Sequence, residues 1–144
     1  MAFDLLCNHF GYERCIGYDL HNPIRHPRVV VKDCMTLSEL DDFPIAFCHN
    51  DLGSFPTTPE LKIYGQKWAA RNIIKGGYFL GRNNLNVARF KSEELMESLD
   101  FENIQFKDIQ DQYGMKILIH HGSKVTCYRG KNNERNQHLR HQQL

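Results

Sequence analysis

The stretch that most constrains the fold is the run 44–55, with the sequence PIAFCHNDLGSF. Apolar residues 45–48 lead into the polar pair Asn50-Asp51, and a glycine and a serine follow. A short apolar run bounded by turn residues is typical of a strand buried on both faces, as in a parallel sheet. Because ligands of open α/β sheets bind beyond the carboxyl ends of the strands, Asn50 and Asp51 are predicted to lie at a binding site.

Composition excludes several classes of protein. The chain has 144 residues, 41% of them hydrophobic and 24% charged, which predicts one globular domain. Its net charge of +1 provides no strong attraction to nucleic acid or to a membrane surface. No apolar run approaches the roughly 18 residues that span a bilayer. The N-terminal residues also lack the basic region of a signal peptide, so the sequence predicts a cytoplasmic protein.

The cysteines and histidines give little support for a metal site. The five cysteines include no C-x-x-C pair, which excludes the usual zinc and thioredoxin motifs. Reduced thiols are expected, with Cys15, Cys34 and Cys48 acting as small apolar residues. Among the eight histidines, His120 and His121 are adjacent, and adjacent side chains of a strand point to opposite faces. No metal site is therefore predicted.

The order of predicted elements favours a three-layer α/β sandwich with a mainly parallel sheet. The chain begins with a helix at 2–10, followed by strands at 14–20 and 28–32 and one helical turn at 37–40. The next strand begins at Pro44 and ends at Asn50-Asp51. Thr58-Pro59 begins a helix that continues to Asn72, and Gly76-Gly77 forms a turn before a strand at 78–80. Ser92 is predicted to cap the next helix, and further strands follow at 104–109, 115–120 and 124–128. The last two form an antiparallel pair, so the domain covers 1–128 and a polar basic tail covers 129–144.

Together with the residues at the strand ends, this order resembles that of class I S-adenosylmethionine-dependent methyltransferases, over roughly residues 3–120. Four features carry the resemblance. Gly17-Tyr18-Asp19 and Asp33-Cys34 close two consecutive strands, Asn50-Asp51 with Gly53-Ser54 closes the next one, and 74–81 contains the "GG" turn ahead of a strand. The resemblance implies a Rossmann-like fold and S-adenosylmethionine as the methyl donor. It also implies an unidentified small-molecule acceptor.

The resemblance assigns a role to each strand end. The residues implied for the cofactor are Asp19 at the ribose hydroxyls, Asp33 and Cys34 near the adenine amine, and Asn50. Those implied for catalysis are Asn50 and Asp51, with His49 as a base by position alone. Ser54 and Phe55 would contact the substrate, with Phe55 covering a ring. Since methyl transfer depends mostly on positioning, no catalytic triad is required.

Each of these residues also has a purely structural explanation. Asp19 could be a solvated residue that begins a turn, and Asp33 could cap the turn before Leu37. Asn50-Asp51 could form an Asx turn at a strand end. The sequence leaves the structural and the functional interpretation of each residue open.

The sequence departs from the family at its N-terminus. The family has a first strand and a glycine-rich turn ahead of the first helix, whereas residues 1–3 of this chain already read as that helix. This departure favours an alternative, a non-catalytic protein-interaction module with the same fold. A third alternative, an NAD-dependent oxidoreductase, depends even more on the glycine motif. The sheet edge left by a missing strand would favour pairing with a second copy or with another protein.

Overall fold

The structure is a computed structural model that describes residues 2–50, 59–82, 86–114 and 125–131. The helices are α1 (Ala2–Phe10), α2 (Pro59–Asn72), α3 (Asn86–Ser98) and α4 (Phe106–Tyr113). The strands are β1 (Gly17–Asp19), β2 (Val29–Val31), β3 (Ile45–Asn50), β4 (Ile73–Arg82), β5 (Phe101–Ile104) and β6 (Val125–Gly130). Short 3₁₀ turns occur at Tyr12–Arg14, Cys34–Thr36 and Glu39–Asp41. None of the helices in the described ranges has the length and apolar character needed to cross a membrane.

The described strands form two sheets. A four-stranded sheet has the order β3-β4-β6-β5, and β1 pairs with β2 in a separate parallel pair. β3 and β4 are parallel, whereas β6 is antiparallel to both of its neighbours. The prediction of a mainly parallel sheet is therefore wrong: the larger sheet is mixed, because β6 runs between β4 and β5 in the opposite direction.

Helices cover both faces of the four-stranded sheet, as the predicted three-layer sandwich requires. Along the central strand, Phe79 belongs to the apolar cluster that includes Trp68 of α2 and Met96 of α3. Its neighbours Tyr78 and Leu80 belong to the opposite cluster, with Ile109 of α4 and Cys127 of β6. This alternation follows from the two-residue repeat of a strand. The mixed α/β architecture is consistent with a Rossmann-like fold.

The sequence predicts a turn at Gly76-Gly77, but the structure places both glycines inside β4. The pairing of β3 with β4 shifts register at this point, because Ile45 pairs with Ile73 and Phe47 with Tyr78. Gly76 adopts a φ of 77°, which favours glycine. A Cβ at Gly77 would lie 2.8 Å from Cγ2 of Ile73 and 2.9 Å from a backbone oxygen. The two glycines therefore form a bulge within the strand.

Two further predictions fail in the second half of the chain. Ser92 does not cap a helix: it is fully buried within α3, and its carbonyl oxygen accepts a hydrogen bond from Gln66 of α2 at 3.3 Å. Residues 104–109 are not one strand either, because β5 ends at Ile104 and α4 begins at Phe106. The Asp108 carboxylate accepts the backbone N–H of Gln105 at 2.9 Å and stabilises this helix start.

The end of the described chain partly matches the sequence prediction. β6 overlaps the predicted strand 124–128 and continues through Gly130, two residues past the predicted domain boundary. The backbone N–H of Lys131 then donates to the carbonyl of Asp100 at 3.3 Å. The strand predicted to pair with 124–128, at 115–120, lies outside the described residues, as does the tail 132–144.

Candidate functional site

The parallel pairing of β1 and β2 brings two predicted acids to one edge. Asp19, the last residue of β1, is opposite Val31, the last residue of β2. The backbone N–H of Lys32 donates to the carbonyl oxygen of Asp19 at 2.8 Å, which joins the two strand ends. Since Asp33 follows Lys32, it lies at the same carboxyl edge as Asp19.

Asp19 presents an exposed carboxylate at this edge. Its Oδ1 accepts the backbone N–H of His21 at 3.2 Å, a long hydrogen bond that begins a turn. An ionised carboxylate has about four acceptor positions. Asp19 thus retains the capacity to accept hydrogen bonds from a ligand, and the turn role does not compete with that function.

Asp33 has the structural role that the sequence left open. Its Oδ1 accepts the backbone N–H of Met35 at 2.9 Å, and its carbonyl accepts the Thr36 hydroxyl at 2.6 Å. These bonds cap the 3₁₀ turn Cys34–Thr36, so the interpretation of Asp33 as a cap is confirmed. The side chain of Asp33 is nevertheless exposed.

Cys34 packs toward the interior instead of the open edge. It contacts the apolar cluster around α2, and burial, followed by the charge of Asp33, raises the pKa of its thiol. Cys48 contacts the same cluster, and burial raises its pKa to about 12. Both thiols therefore remain protonated near neutral pH, which makes them poor nucleophiles.

Sequence reasoning missed three apolar side chains at the edge of β1 and β2. Leu20, Val31 and Met35 are 54%, 62% and 46% exposed. Leu20 follows Asp19, Val31 is opposite it, and Met35 is capped by Asp33. Exposed apolar side chains that lie together beside carboxylates indicate a binding surface more strongly than single exposed apolar residues do. Leu20 and Val31 lie within the predicted strands 14–20 and 28–32, so the sequence contains no signal that they would remain exposed.

At the end of β3, Asn50 is buried, with 8% of its surface exposed, and it pairs in register with Gly81 of β4. Phe47 and Cys48 contact the clusters on opposite faces of the sheet. By the same alternation, His49 and Asn50 point to opposite faces. Hence the structure does not bring these two predicted catalytic side chains together on one face. The other predicted residues of this stretch, Asp51, Ser54 and Phe55, lie outside the described residues.

Contacts with α2 place the carboxyl edges of both sheets at the same end of the molecule. Because α2 joins the parallel strands β3 and β4, it returns from the carboxyl end of β3 to the amino end of β4. The connection from β2 to β3 runs alongside α2 in the same direction. Its contacts are Tyr64 Oη to the Leu37 carbonyl at 2.9 Å, Trp68 Nε1 to the Ser38 carbonyl at 3.2 Å, and Arg71 and Asn72 to Asp42 Oδ1 at 3.0 and 2.9 Å. Therefore the carboxyl end of β2 lies at the same end of the molecule as the carboxyl end of β3, where α2 begins.

Helices on both faces connect the two sheets. On one face, Tyr18 of β1 packs edge-on against Trp68 of α2, with ring centroids 6.0 Å apart. On the other, the Phe3 ring of α1 lies against Gly17, where a Cβ would be 3.2 Å from the ring. Phe10 of the same helix lies 5.6 Å from Phe47 of β3. The strand ends of β1, β2 and β3 are thus held in one framework.

The buried histidine of the described chain is structural. His26 Nδ1 accepts the backbone N–H of Arg28 at 3.1 Å, so Nε2 carries the hydrogen that it donates to Asp4 at 2.7 Å. Both ring nitrogens are occupied, which leaves none for a proton transfer or a metal ion. In the ranges that the structure describes, no three His, Cys, Asp or Glu side chains are grouped to bind a metal.

Comparison with known proteins gives a likeness to solved structures, whereas the comparisons of sequence give none. No protein-family model matches the chain, and no curated protein matches it. The chain is similar to the crystal structure of a candidate rRNA methylase from Clostridium thermocellum, with a TM-score of 0.52 and 14% identity. The match covers 81% of this chain and 72% of the other. At this identity the likeness shows only that the two chains share a fold.

Proposed function

We propose that the protein is an S-adenosylmethionine-dependent methyltransferase that transfers a methyl group to a small-molecule acceptor. The observation that carries the proposal is the exposed Asp19 carboxylate at the end of a parallel strand pair, next to exposed apolar side chains, in a methyltransferase-like fold. This is where open α/β sheets bind their ligands.

The residues at this edge fit the adenosine part of the cofactor. Asp19 has acceptor capacity for the two ribose hydroxyls. Leu20, Val31 and Met35 supply apolar surface for the adenine ring, whose faces bind such groups well. Asp33 fixes the turn that carries Met35 and keeps an exposed carboxylate near it. Acid and apolar surface together match a nucleoside better than either would alone.

The bound cofactor would supply a methyl group on a positively charged sulfur, and the chain's own residues would position it. Asn50, buried at the end of β3, would orient the reacting end through its amide. If the acceptor must lose a proton, His49 is the nearby base, although it points to the opposite face from Asn50. Asp51, Ser54 and Phe55 are proposed for the reacting centre and the acceptor because they follow β3 in sequence.

A small-molecule acceptor agrees better with the charge of the chain than RNA does. The neighbour's designation refers to rRNA, but this chain carries a net charge of only +1. Affinity for a nucleic-acid backbone depends on several cationic contacts and falls steeply with salt. An acceptor screen should therefore begin with small molecules and include an RNA oligonucleotide as a comparison.

Calorimetric titration with S-adenosylhomocysteine, the demethylated product, tests the donor site. We expect micromolar binding to the native chain and none to Asp19→Ala. In Asp19→Asn the side chain can still accept the His21 N–H, so this variant isolates the carboxylate charge. We expect it to weaken binding about tenfold or more, because bonds to a charged acceptor contribute roughly 1.5–3 kcal/mol.

Asp111→Ala is the matched control, because Asp111 is an exposed carboxylate on α4 whose partner is Lys107 of the same helix. It should bind as the native chain does. Absence of heat with the folded native chain would overturn the proposal. Binding of NAD in its place would support the oxidoreductase, and binding of neither would leave the interaction module as the best explanation.

A further inference from the structure

Two of the five cysteines, Cys7 and Cys15, lie close together in the structure. Cys7 lies in α1, and Cys15 follows the 3₁₀ turn Tyr12–Arg14. Cys15 Sγ lies 3.7 Å from the carbonyl oxygen of Leu6, the residue that directly precedes Cys7. This contact places the Cys15 thiol against the turn of α1 that carries Cys7.

The backbone between the two cysteines is shaped to hold them together. Gly11 has a φ of 100°, which reverses the chain directly after α1. Its N–H donates to the carbonyl oxygen of Cys7 at 2.8 Å, and the N–H of Cys15 donates to that of Tyr12 at 3.3 Å. These bonds fold the chain back against α1, which favours the short separation between Cα atoms, below about 7 Å, that a disulfide requires.

The two thiols differ in accessibility. Cys7 has no exposed surface, whereas Cys15 is half-buried and can be reached by a small reagent. Burial, and then the neighbouring Cys15, raises the pKa of Cys7 to about 11. Cys7 therefore does not react first at neutral pH. Such a pair resembles the usual arrangement of an accessible cysteine next to a resolving cysteine.

We propose that Cys7 and Cys15 form a reversible disulfide when a small-molecule disulfide oxidises the folded protein. The Cys15 thiolate attacks one sulfur of the reagent, forms a mixed disulfide and releases one small thiol. Cys7 then loses its proton to solvent, attacks Cys15 Sγ and releases the second small thiol. The two cysteines lose two electrons and two protons, and the reagent is reduced to two thiols.

Oxidised glutathione serves as the probe. The native full chain is incubated with it, free thiols are alkylated, and the protein is digested with trypsin without reduction. Because Arg14 separates the two cysteines, digestion releases them on different peptides, 1–14 and 15–25. Mass spectrometry should recover these two peptides linked, and prior treatment with dithiothreitol should separate them.

Variants distinguish the pair from non-specific oxidation. Cys15→Ser should abolish the linked peptides, whereas Cys34→Ser, which changes another half-buried cysteine, should keep them. In Cys7→Ser, glutathione should remain on Cys15 as the main product. Since Cys7 is buried, the Cys15 and Cys34 variants decide the result if Cys7→Ser does not fold.

Two results would overturn the proposal. One is stable glutathione on Cys15 of the native chain with Cys7 alkylated. The other is linkage that forms only after denaturant is added.

Discussion

The four-stranded sheet and the two-stranded sheet differ most in how much of their surface they bury. In β4, Tyr78, Phe79 and Leu80 are all buried, because helices cover both faces of the sheet. In β2, the adjacent residues Val30 and Val31 point to opposite faces, yet both are exposed. The four-stranded sheet forms the core, whereas each face of the two-stranded sheet presents an exposed side chain that a ligand could contact.

This difference assigns separate tasks to the two sheets. Burial of large apolar side chains in the four-stranded sheet supplies most of the stability. The three-residue strands β1 and β2 contribute little, but their ends carry Asp19 and the exposed apolar side chains of the candidate site. The small sheet depends on α1 and α2 for its position. Substitutions should therefore separate stability from ligand binding along this division.

The largest expected effect is in the core of β4. Phe79→Ala removes a ring that is 1% exposed and should lower the free energy of unfolding by about 3–5 kcal/mol. Val31→Ala, in the two-stranded sheet, should change it by less than about 0.5 kcal/mol. Urea denaturation followed by circular dichroism measures both. Equal losses in the two variants would contradict the assignment of stability to the larger sheet.

Glycine substitutions provide a smaller test of the same contrast. Gly77→Ala places a Cβ 2.8 Å from Ile73 Cγ2 and 2.9 Å from the Ile74 carbonyl oxygen, where the backbone cannot move freely. We expect a loss of about 1–3 kcal/mol. Gly17→Ala, in β1, meets only the Phe3 ring at 3.2 Å.

Because the Phe3 ring can rotate away, the Gly17→Ala loss should stay near or below about 0.5 kcal/mol. Thermal denaturation of the two variants at one protein concentration gives the comparison. A greater loss in Gly17→Ala would show that the β1 contact with α1 is the tighter of the two.

The smallest expected effect is a pH dependence in the connection from the small sheet. The backbone N–H of Ser38 and the Lys32 ammonium, 2.9 and 3.0 Å from the Asp41 carboxylate, hold its pKa below the ordinary value. A carboxylate with a lowered folded-state pKa stabilises the protein above its unfolded pKa, and this is lost as pH falls through the folded pKa. Asp41→Asn should therefore lower the melting temperature slightly at neutral pH and have no effect in acid, well below roughly pH 4.

The matched variant for this pH prediction is Glu102→Gln in the larger sheet, where the hydrogen bond from Arg129 holds the pKa of Glu102 below its ordinary value. Glu102→Gln should also lower the melting temperature at neutral pH and have no effect in acid. Melting curves across the acid range measure both variants. If the native chain and Asp41→Asn differ by the same amount down to the acid limit, ionisation of the Asp41 carboxylate is not the source of the stability difference.

Local patterns were sufficient to predict several elements. The helix at 2–10 has the bounds of α1, and α2 ends at Asn72 as predicted. The predicted strand from Pro44 to Asn50-Asp51 corresponds to β3, Ile45–Asn50, since its apolar residues have the length and character of a buried strand. The same patterns placed Asp19 and Asn50 at the ends of strands, where the structure has them.

The failed predictions come from signals that two structures share. Two glycines indicate a turn or a bulge equally well, and the register between β3 and β4 makes Gly76-Gly77 a bulge. A serine suits a helix cap, but a small residue also suits a close helix contact, which is the position of Ser92 beside Gln66. The apolar spacing of residues 104–109 fits either a strand or a helix. The hydrogen bond from the Gln105 N–H to the Asp108 carboxylate favours the start of α4.

The sequence by itself determined where the local elements lie and which polar residues end the strands, because these follow from spacing along the chain. Only the tertiary structure decided the mixed direction of the larger sheet and the separation of β1 and β2 from it. It also decided that Cys7 and Cys15 lie close together and that Leu20, Val31 and Met35 remain exposed. Each of these depends on contacts between segments, whose energy arises only when the chain is assembled.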